Sequence, residues 1–415
     1  MNVHVTKTVP ITFKMVVDAY QKVRQGGKAV GIDNESWSTF EINVEKNLYV
    51  IWNRLASGSY HPQPVRETEI PKKDGKMRIL GIPTLRDRIA QCVVKDYMER
   101  KIDQDFHQHS YGYRPMKSSK EALEQVRQNC YRYDWVIDMD ISKFFDEIDH
   151  ELLLKAVEKV IEEKWVILYV KRWLTAEVVT KDGRVQIRNG KGTPQGGVIS
   201  PLLANLFLHF AFDKWITIHH PEITFVRYAD DIVAHCQTKS SAEKLLTSIK
   251  ERLTQVGLRL NEEKTKLVYC KDYRRKEKHN NVQFDFLGYS YQPRARLCKT
   301  GTKLYTAFTA EISRSNQKKI REVLKESIQW RNTVMGIEII AEILNPKLRG
   351  WINYYGLYSK SKLTMLMNYL ERKITKWIRN KFKISSVKES YSNLKSIKQL
   401  KPILFYHWEK GYCKG

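Results

Sequence analysis

The hydrophobic pattern changes its period several times along the chain, and the changes mark its elements. Up to about residue 60 the apolar positions step by three and four, as at Leu48, Ile51, Trp52 and Leu55, which predicts amphipathic helices around a loop at Gly26 to Asp33. Tyr60-His61-Pro62-Gln63-Pro64 cannot continue a helix. ETEIPKKDGKMRILGIP then reads as a hairpin with Asp74-Gly75 as its turn. A helix over Thr84 to Ile102 follows, then a turn at SYGYRP, then a helix opened by a Ser118/Glu121 capping box. WVIDMDI, from Trp135 to Ile141, shifts to a period of two: Trp135, Ile137, Met139 and Ile141 face one way, Asp138 and Asp140 the other.

Further on, GTPQGG (192–197) is a glycine-rich loop, and ISPLLANLFLHFAF predicts a buried helix with Ser200 as its cap and Pro201 in its first turn. FVRYADDIV (225–233) predicts two apolar strand segments with Asp230 and Asp231 at their junction. An amphipathic helix over Ala242 to Val256 comes next, then GLRLNEEKTKLV as turn, cap and strand, a basic loop KDYRRKEK (271–278), and FDFLGYSY as the start of another strand. From about residue 311 the period is helical only, which predicts a three-helix unit on its own core, with a boundary near Tyr305. Its third helix ends in the basic run ERKITKWIRNKFK.

Composition narrows the function classes. Of 415 residues 42% are hydrophobic, which supports a buried core and argues against disorder. Lys and Arg number 72 against 46 acidic residues, a net charge of +26 that calls for a polyanionic partner. The 22 Tyr and 10 Trp supply flat faces for bases, so nucleic acid leads as that partner. Six widely spaced cysteines with no C-x-x-C pair read as free thiols in a reducing compartment rather than as zinc ligands. No signal-like segment and no long apolar run occurs, so the expectation is a cytoplasmic, nucleoid-associated bacterial protein with no membrane contact.

Candidate chemistry lies in the carboxylates. Asp230 and Asp231 repel each other, and such a pair is relieved either by solvation at a turn or by a divalent cation. A second strand offers Asp138 and Asp140, between which spacing does not choose, and the glycine-rich loop lies between the two in sequence. Carboxylates held by adjacent strands suit two Mg²⁺ ions serving phosphoryl transfer. Lys72, Lys73, Lys76 and Arg78 cluster around the hairpin tip, either as a solvated edge or as a grip on phosphates.

The blocks IPKKDGKMRILGIPTLRDRIAQ, SYGYRPMKSSKEAL, DMDISKFFDEIDH, GTPQGGVISPLLANLFLH, RYADD, LRLNEEKTKLV, FDFLGY and LNPKLRGWINYYG occur in one order, and in that order they resemble the group II intron-encoded reverse transcriptase/maturases. The resemblance covers about residue 28 to at least 383. It implies an α+β right-hand polymerase, with fingers and palm built on antiparallel sheet, followed by an all-helical thumb/maturase domain. The corresponding divisions are 1–60 as an extension of the fingers, 61–305 as fingers and palm, 306–383 as thumb/maturase and 384–415 as a short basic DNA-binding segment.

The same resemblance implies Asp140, Asp230 and Asp231 as ligands of two Mg²⁺ ions. It makes Phe145 the ring that rejects a ribose 2′-OH, Lys72 and Arg78 the cations on the triphosphate, Gln195 a wall of the nucleotide pocket and Lys264 a cation near the primer end. Arg349, Trp351, Tyr354 and Tyr355 become duplex-binding residues, each with helix packing as the alternative. The implied activity is RNA-directed DNA synthesis that copies intron RNA during retrohoming and assists splicing. Its partners are group II intron RNA, an RNA template/DNA primer duplex, target DNA and dNTPs. The sequence shows no cysteine pairs and only a short stretch beyond the third helix, so it resembles the endonuclease-lacking members. A domesticated relative acting in DNA repair or phage defence is the alternative.

Overall fold

The computed structural model describes residues 9–71, 77–298 and 301–413. The chain forms two compact units, one comprising residues up to Gln125 with Ile137–Leu267, the other Val126–Val136 with the chain from Val268 onward.

The first unit opens with α1 (Phe13–Arg24), α2 (Trp37–Glu41) and α3 (Val44–Ala56). The spacing of Leu48, Ile51 and Leu55 has its expected effect, since all three are buried on α3. Strands β1 (Val65–Pro71) and β2 (Met77–Ile82) pair antiparallel, as the hairpin reading requires. Lys72, Lys73, Lys76 and the Asp74-Gly75 turn lie outside the described residues. Helix α4 (Leu85–Ile102) packs on α1 and is buried around much of its circumference. Thr84 caps it, and the buried carboxylate of Asp87 accepts from the Tyr60 hydroxyl, the Thr84 hydroxyl and the Gln63 N–H, which ties the Tyr60–Pro64 segment to the start of α4.

Then come α5 (Ser119–Arg132), β3 (Trp135–Asp140), α6 (Phe144–Glu147), α7 (His150–Val160), α8 (Lys164–Leu174), β4 (Val178–Val179) and β5 (Val185–Gln186). The Ser118/Glu121 box forms reciprocally, with Ser118 Oγ accepting from the Glu121 N–H and the Glu121 carboxylate accepting from the Ser118 N–H. Helix α9 (Ser200–Leu208) is almost wholly buried, but Ile199 takes the cap position. Ser200 is therefore not the cap, and its Oγ instead meets the Thr193 hydroxyl at 2.8 Å. The expected single helix widens into a π turn at His209–Asp213 before α10 (Lys214–His219), and Arg252 donates to the carbonyls of Phe210 and Ala211 there. Strands β6 (Thr224–Tyr228) and β7 (Asp231–Cys236), helix α11 (Lys239–Gln255) and β8 (Lys266–Tyr269) complete the segment. Two four-stranded sheets result, ordered β2-β1-β4-β5 and β6-β7-β3-β8.

The second unit carries β9 (Phe284–Phe286), β10 (Tyr289–Leu297) and β11 (Leu304–Ile312) in the order β11-β10-β9. FDFLGYSY is thus a tight hairpin rather than one strand, because Leu287 and Gly288 both take left-handed backbone angles (φ 46° and 82°). A side chain at 288 would also strike the Asn316 amide at 2.6 Å. Strand β11 runs through the expected boundary at Tyr305, and the helical part begins at α12 (Arg314–Glu326). It continues with α13 (Ile337–Tyr355), α14 (Lys360–Lys381), α15 (Val387–Leu400) and α16 (Tyr406–Glu409). The three expected helices are present, and two more pack on them: α15 on α14 and α16 on α13. Phe405, fully buried, and Asn345, which bonds the Leu404 carbonyl and the Tyr406 N–H, fix the chain there.

Candidate active site

The alternation in WVIDMDI is borne out: Trp135, Ile137 and Met139 are buried, whereas Asp138 and Asp140 are half-exposed on the other face. Asp140 ends β3. Its carbonyl accepts from the Asn261 N–H at 2.7 Å, and its carboxylate accepts from Lys264 Nζ at 3.0 Å.

Tyr228 pairs with Asp231 across the β6–β7 hairpin, leaving Ala229 and Asp230 as a two-residue turn. Ala229 carries φ 58°, a conformation that costs an L-residue about 1–2 kcal/mol and that glycine usually fills. Fully buried Arg227 holds the turn in this form. Its guanidinium grips Asp213 at 2.8 and 2.5 Å, donates to Asn205 Oδ1 at 2.8 Å, and reaches the Ala229 carbonyl at 3.2 Å. Asn205 in turn donates to the Gly112 carbonyl at 2.6 Å. Gly112 presses so closely on the turn that a Cβ there would lie 2.4 Å from the Ala229 nitrogen.

This frame places Asp230 half-buried, with its pKa raised first by burial and then by repulsion from Asp140, while Arg78 and Lys264 pull the other way. Asp140, Arg78 and Lys264 are therefore each within electrostatic reach of Asp230. Asp140 is a strand carboxylate felt at Asp230. Asp231, by contrast, is exposed. Tyr113, itself at φ 55°, senses Asp230, Tyr228, Arg78 and Asp231, and its hydroxyl pKa is raised, by burial first.

The glycine-rich loop is stitched to the same region. The Gln195 carbonyl accepts from the Gly81 N–H on the strand of Arg78, and the Gln195 amide donates to Asp146 at 3.4 Å, beside Phe145 on α6. Gly196, at φ 133°, passes so near the Gly81 carbonyl that a Cβ would meet it at 2.6 Å. Thr193 N–H bonds the Phe145 carbonyl, and the buried Gln91 side chain accepts from the Val198 N–H at 2.8 Å. Arg78, Phe145 and Gln195 are thereby joined through backbone bonds. Lys72 falls outside the described residues.

Sequence reasoning did not find Gln91, Gly112, Tyr113, Asn205, Asp213 or Arg227. Arg227 carried the one available signal, a cation in the middle of an apolar strand. In the second unit, Tyr355 is buried and packs with Tyr354 against Tyr289. The Tyr354 hydroxyl donates to the Leu287 carbonyl at 2.7 Å, so both rings pack within the unit, Tyr354 remaining half-buried. Trp351 is half-buried, and Arg349 is exposed, its guanidinium 5.2 Å from the Tyr406 ring.

Residues 70–291 match the family model "Reverse transcriptase (RNA-dependent DNA polymerase)". The chain belongs to the reverse transcriptase family. Residues 317–396 match the maturase-specific domain of group II introns. Protein YkfC of Escherichia coli is 33% identical over 60% of this chain and 74% of its own length. The group II intron-encoded protein LtrA of Lactococcus lactis is 28% identical over 88% of this chain and 72% of its own. A putative COX1/OXI3 intron 1 protein of Saccharomyces cerevisiae is 27% identical over 52% of this chain and 32% of its own. This reverse transcriptase thus combines an RNA-directed DNA polymerase core with a group II intron maturase domain, and its functions are DNA synthesis on RNA and assistance to splicing. Among the described residues no helix is long and apolar enough to cross a membrane.

Proposed function

We propose that Asp140, Asp230 and Asp231 form the nucleotidyl-transfer site, holding two Mg²⁺ ions while the chain copies intron RNA into DNA during retrohoming. The observation that carries this reading is that Asp230, on the hairpin turn, feels Asp140, Arg78 and Lys264, with Lys264 also bonded to Asp140. The donors are all oxygen, which suits a hard cation. Among the described residues no group of three or more His, Cys, Asp or Glu forms a ready-made metal cluster. Mg²⁺ takes one or two carboxylates and leaves its remaining positions to water and substrate phosphates. A cation would also relieve the repulsion between Asp140 and Asp230, for which Lys264 now supplies the compensating charge.

Bound there, Mg²⁺ would stabilise the charge on the attacking and departing oxygens. Arg78, together with Lys72, neutralises the incoming triphosphate, and Lys264 stands by the primer end. Phe145 lies under the sugar and excludes a 2′-OH, while Gln195 closes the pocket from the glycine-rich loop. Arg349 and Trp351 offer a cation and a flat edge to the template/primer duplex, and the helices from Arg314 onward serve as thumb and maturase domain. The partners on this reading are group II intron RNA, target DNA and dNTPs, and the setting is the bacterial cytoplasm beside the nucleoid.

The test is Asp230→Asn in primer extension on an RNA template with Mg²⁺ and dNTPs. DNA synthesis is expected to vanish while RNA binding persists, because binding comes from distributed cations. Parallel loss of both would remove Asp230 from the site.

A further inference from the structure

The basic loop KDYRRKEK has no part in the polymerase site, yet the second unit builds a cavity around it. Within that unit Asp272 accepts from the backbone N–H groups of Arg274 and Arg275 at 2.8 and 3.0 Å, and from both guanidinium groups at 2.9 and 2.6 Å. Arg275 also donates to the carbonyls of Cys130 and Tyr133, so the loop is fastened rather than free. The fastening turns Tyr273 outward, 49% exposed, with its ring perpendicular to that of Tyr305 at 5.7 Å. Tyr131, 59% exposed, lines the same hollow, and Arg274 lies over its ring at 4.2 Å.

The hollow measures about 280 Å³. Arg127 and Arg296 line it as well. Its one acid, Asp272, is consumed by Arg274 and Arg275, so the wall is positive. Arg275, only 7% exposed, keeps a buried Nε with no hydrogen-bond partner while its side chain lines the cavity. A buried donor left unsatisfied in this way costs about 1–3 kcal/mol.

Exposed rings set at a corner with cations beside them are the chemistry that takes an unstacked base with its phosphate. Duplex offers no free base face to such a corner. Tyrosine hydroxyls and the Thr309 hydroxyl on the rim supply partners for a ribose 2′-OH. We propose that this cavity binds a splayed-out nucleotide of single-stranded RNA, separate from template and primer. The proposal does not rest on the assignment of the catalytic carboxylates.

The test uses the full-length protein, a short single-stranded RNA, the same RNA closed into a duplex, and the corresponding single-stranded DNA, at salt high enough to suppress diffuse charge binding. Tyr273→Ala is expected to weaken single-stranded RNA binding about fivefold or more, with duplex affinity and primer extension unchanged. Tyr273→Phe, which keeps the ring, should retain most of the affinity. Bromouridine in the RNA should crosslink to peptides containing Tyr131, Tyr273 or Tyr305. Unchanged affinity for single-stranded RNA, an equal loss on duplex, an equal loss on single-stranded DNA, or crosslinks confined to other peptides would each overturn it.

Discussion

Asp230 and Asp272 each stand close to two cationic side chains, and they are treated in opposite ways. Asp272, in the second unit, has its oxygens filled by Arg274 and Arg275. Burial pushes its pKa up, but hydrogen bonds from the two arginines outweigh this and hold it far below the usual carboxylate range. Asp230, in the first unit, feels Arg78 and Lys264 without a hydrogen bond to either among the described residues, and its pKa is raised. A carboxylate with a structural task receives its counter-charge from its own chain. On the proposed reading Asp230 is left short of positive charge, and a metal ion would fill the deficit.

The largest expected effect comes from Asp230→Asn, which should lower DNA synthesis on the order of a thousandfold or more. Thermal unfolding should show no loss of stability, since the change neutralises a carboxylate that burial and Asp140 both disfavour. A marked fall in melting temperature would break the contrast with Asp272. Arg227→Gln comes next, because it leaves Asp213 buried and unpaired. Denaturant unfolding should register a loss of about 4 kcal/mol, and the half-saturating Mg²⁺ concentration for synthesis should rise in the protein that remains folded. Asp272→Asn should cost less, about 2 kcal/mol, since Arg274 is 39% exposed and can turn to water. Its Mg²⁺ dependence should stay as in the wild type.

Stability should also depend on pH. Burial lifts Asp87 of the first unit to about 6, above its unfolded value, so the folded state binds the proton more tightly. Its contribution to stability is therefore present at low pH and lost as pH rises from about 4 to about 6. Asp272 has the opposite sign, with stability present above the ordinary carboxylate value and lost as pH falls below it. Stability profiles of Asp87→Asn and Asp272→Asn, each subtracted from wild type, should slope in opposite directions, and slopes of the same sign would refute the pairing.

Much of this was legible in the sequence, because period and turn chemistry are local. The β1–β2 hairpin, the alternation of β3, the capping box at Ser118 and the helices α3, α4 and α12 to α14 all announce themselves within a few residues. The carboxylates were legible for the same reason. What escaped depends on contacts between distant segments. Nothing near Gly112 says that its missing Cβ makes room for Ala229, and nothing near Asp213 says that its partner is Arg227. Two turns were disguised by their residues, since Ala229 and Leu287 occupy left-handed positions that sequence rules give to glycine or asparagine. Helix α15 was hidden by its polarity, with only Ser390 and Leu394 buried. Tyr354 and Tyr355 look like binding residues by type, and only their contacts show how they pack within the unit.

The π turn at His209–Asp213 fits more residues into a turn than an α-helix does. It works as a phase adjuster on a rod: Asn205 ahead of it and Asp213 at its end both come to bear on the guanidinium of Arg227. Removing one residue from that turn would rotate everything downstream by about 100° relative to what precedes it, and Asp213 would swing away from the hairpin it anchors. The position of Asp230 is therefore encoded partly in a count of residues rather than in their identities. A scan by substitution alone would pass over that dependence, whereas a scan by single deletions would find it here.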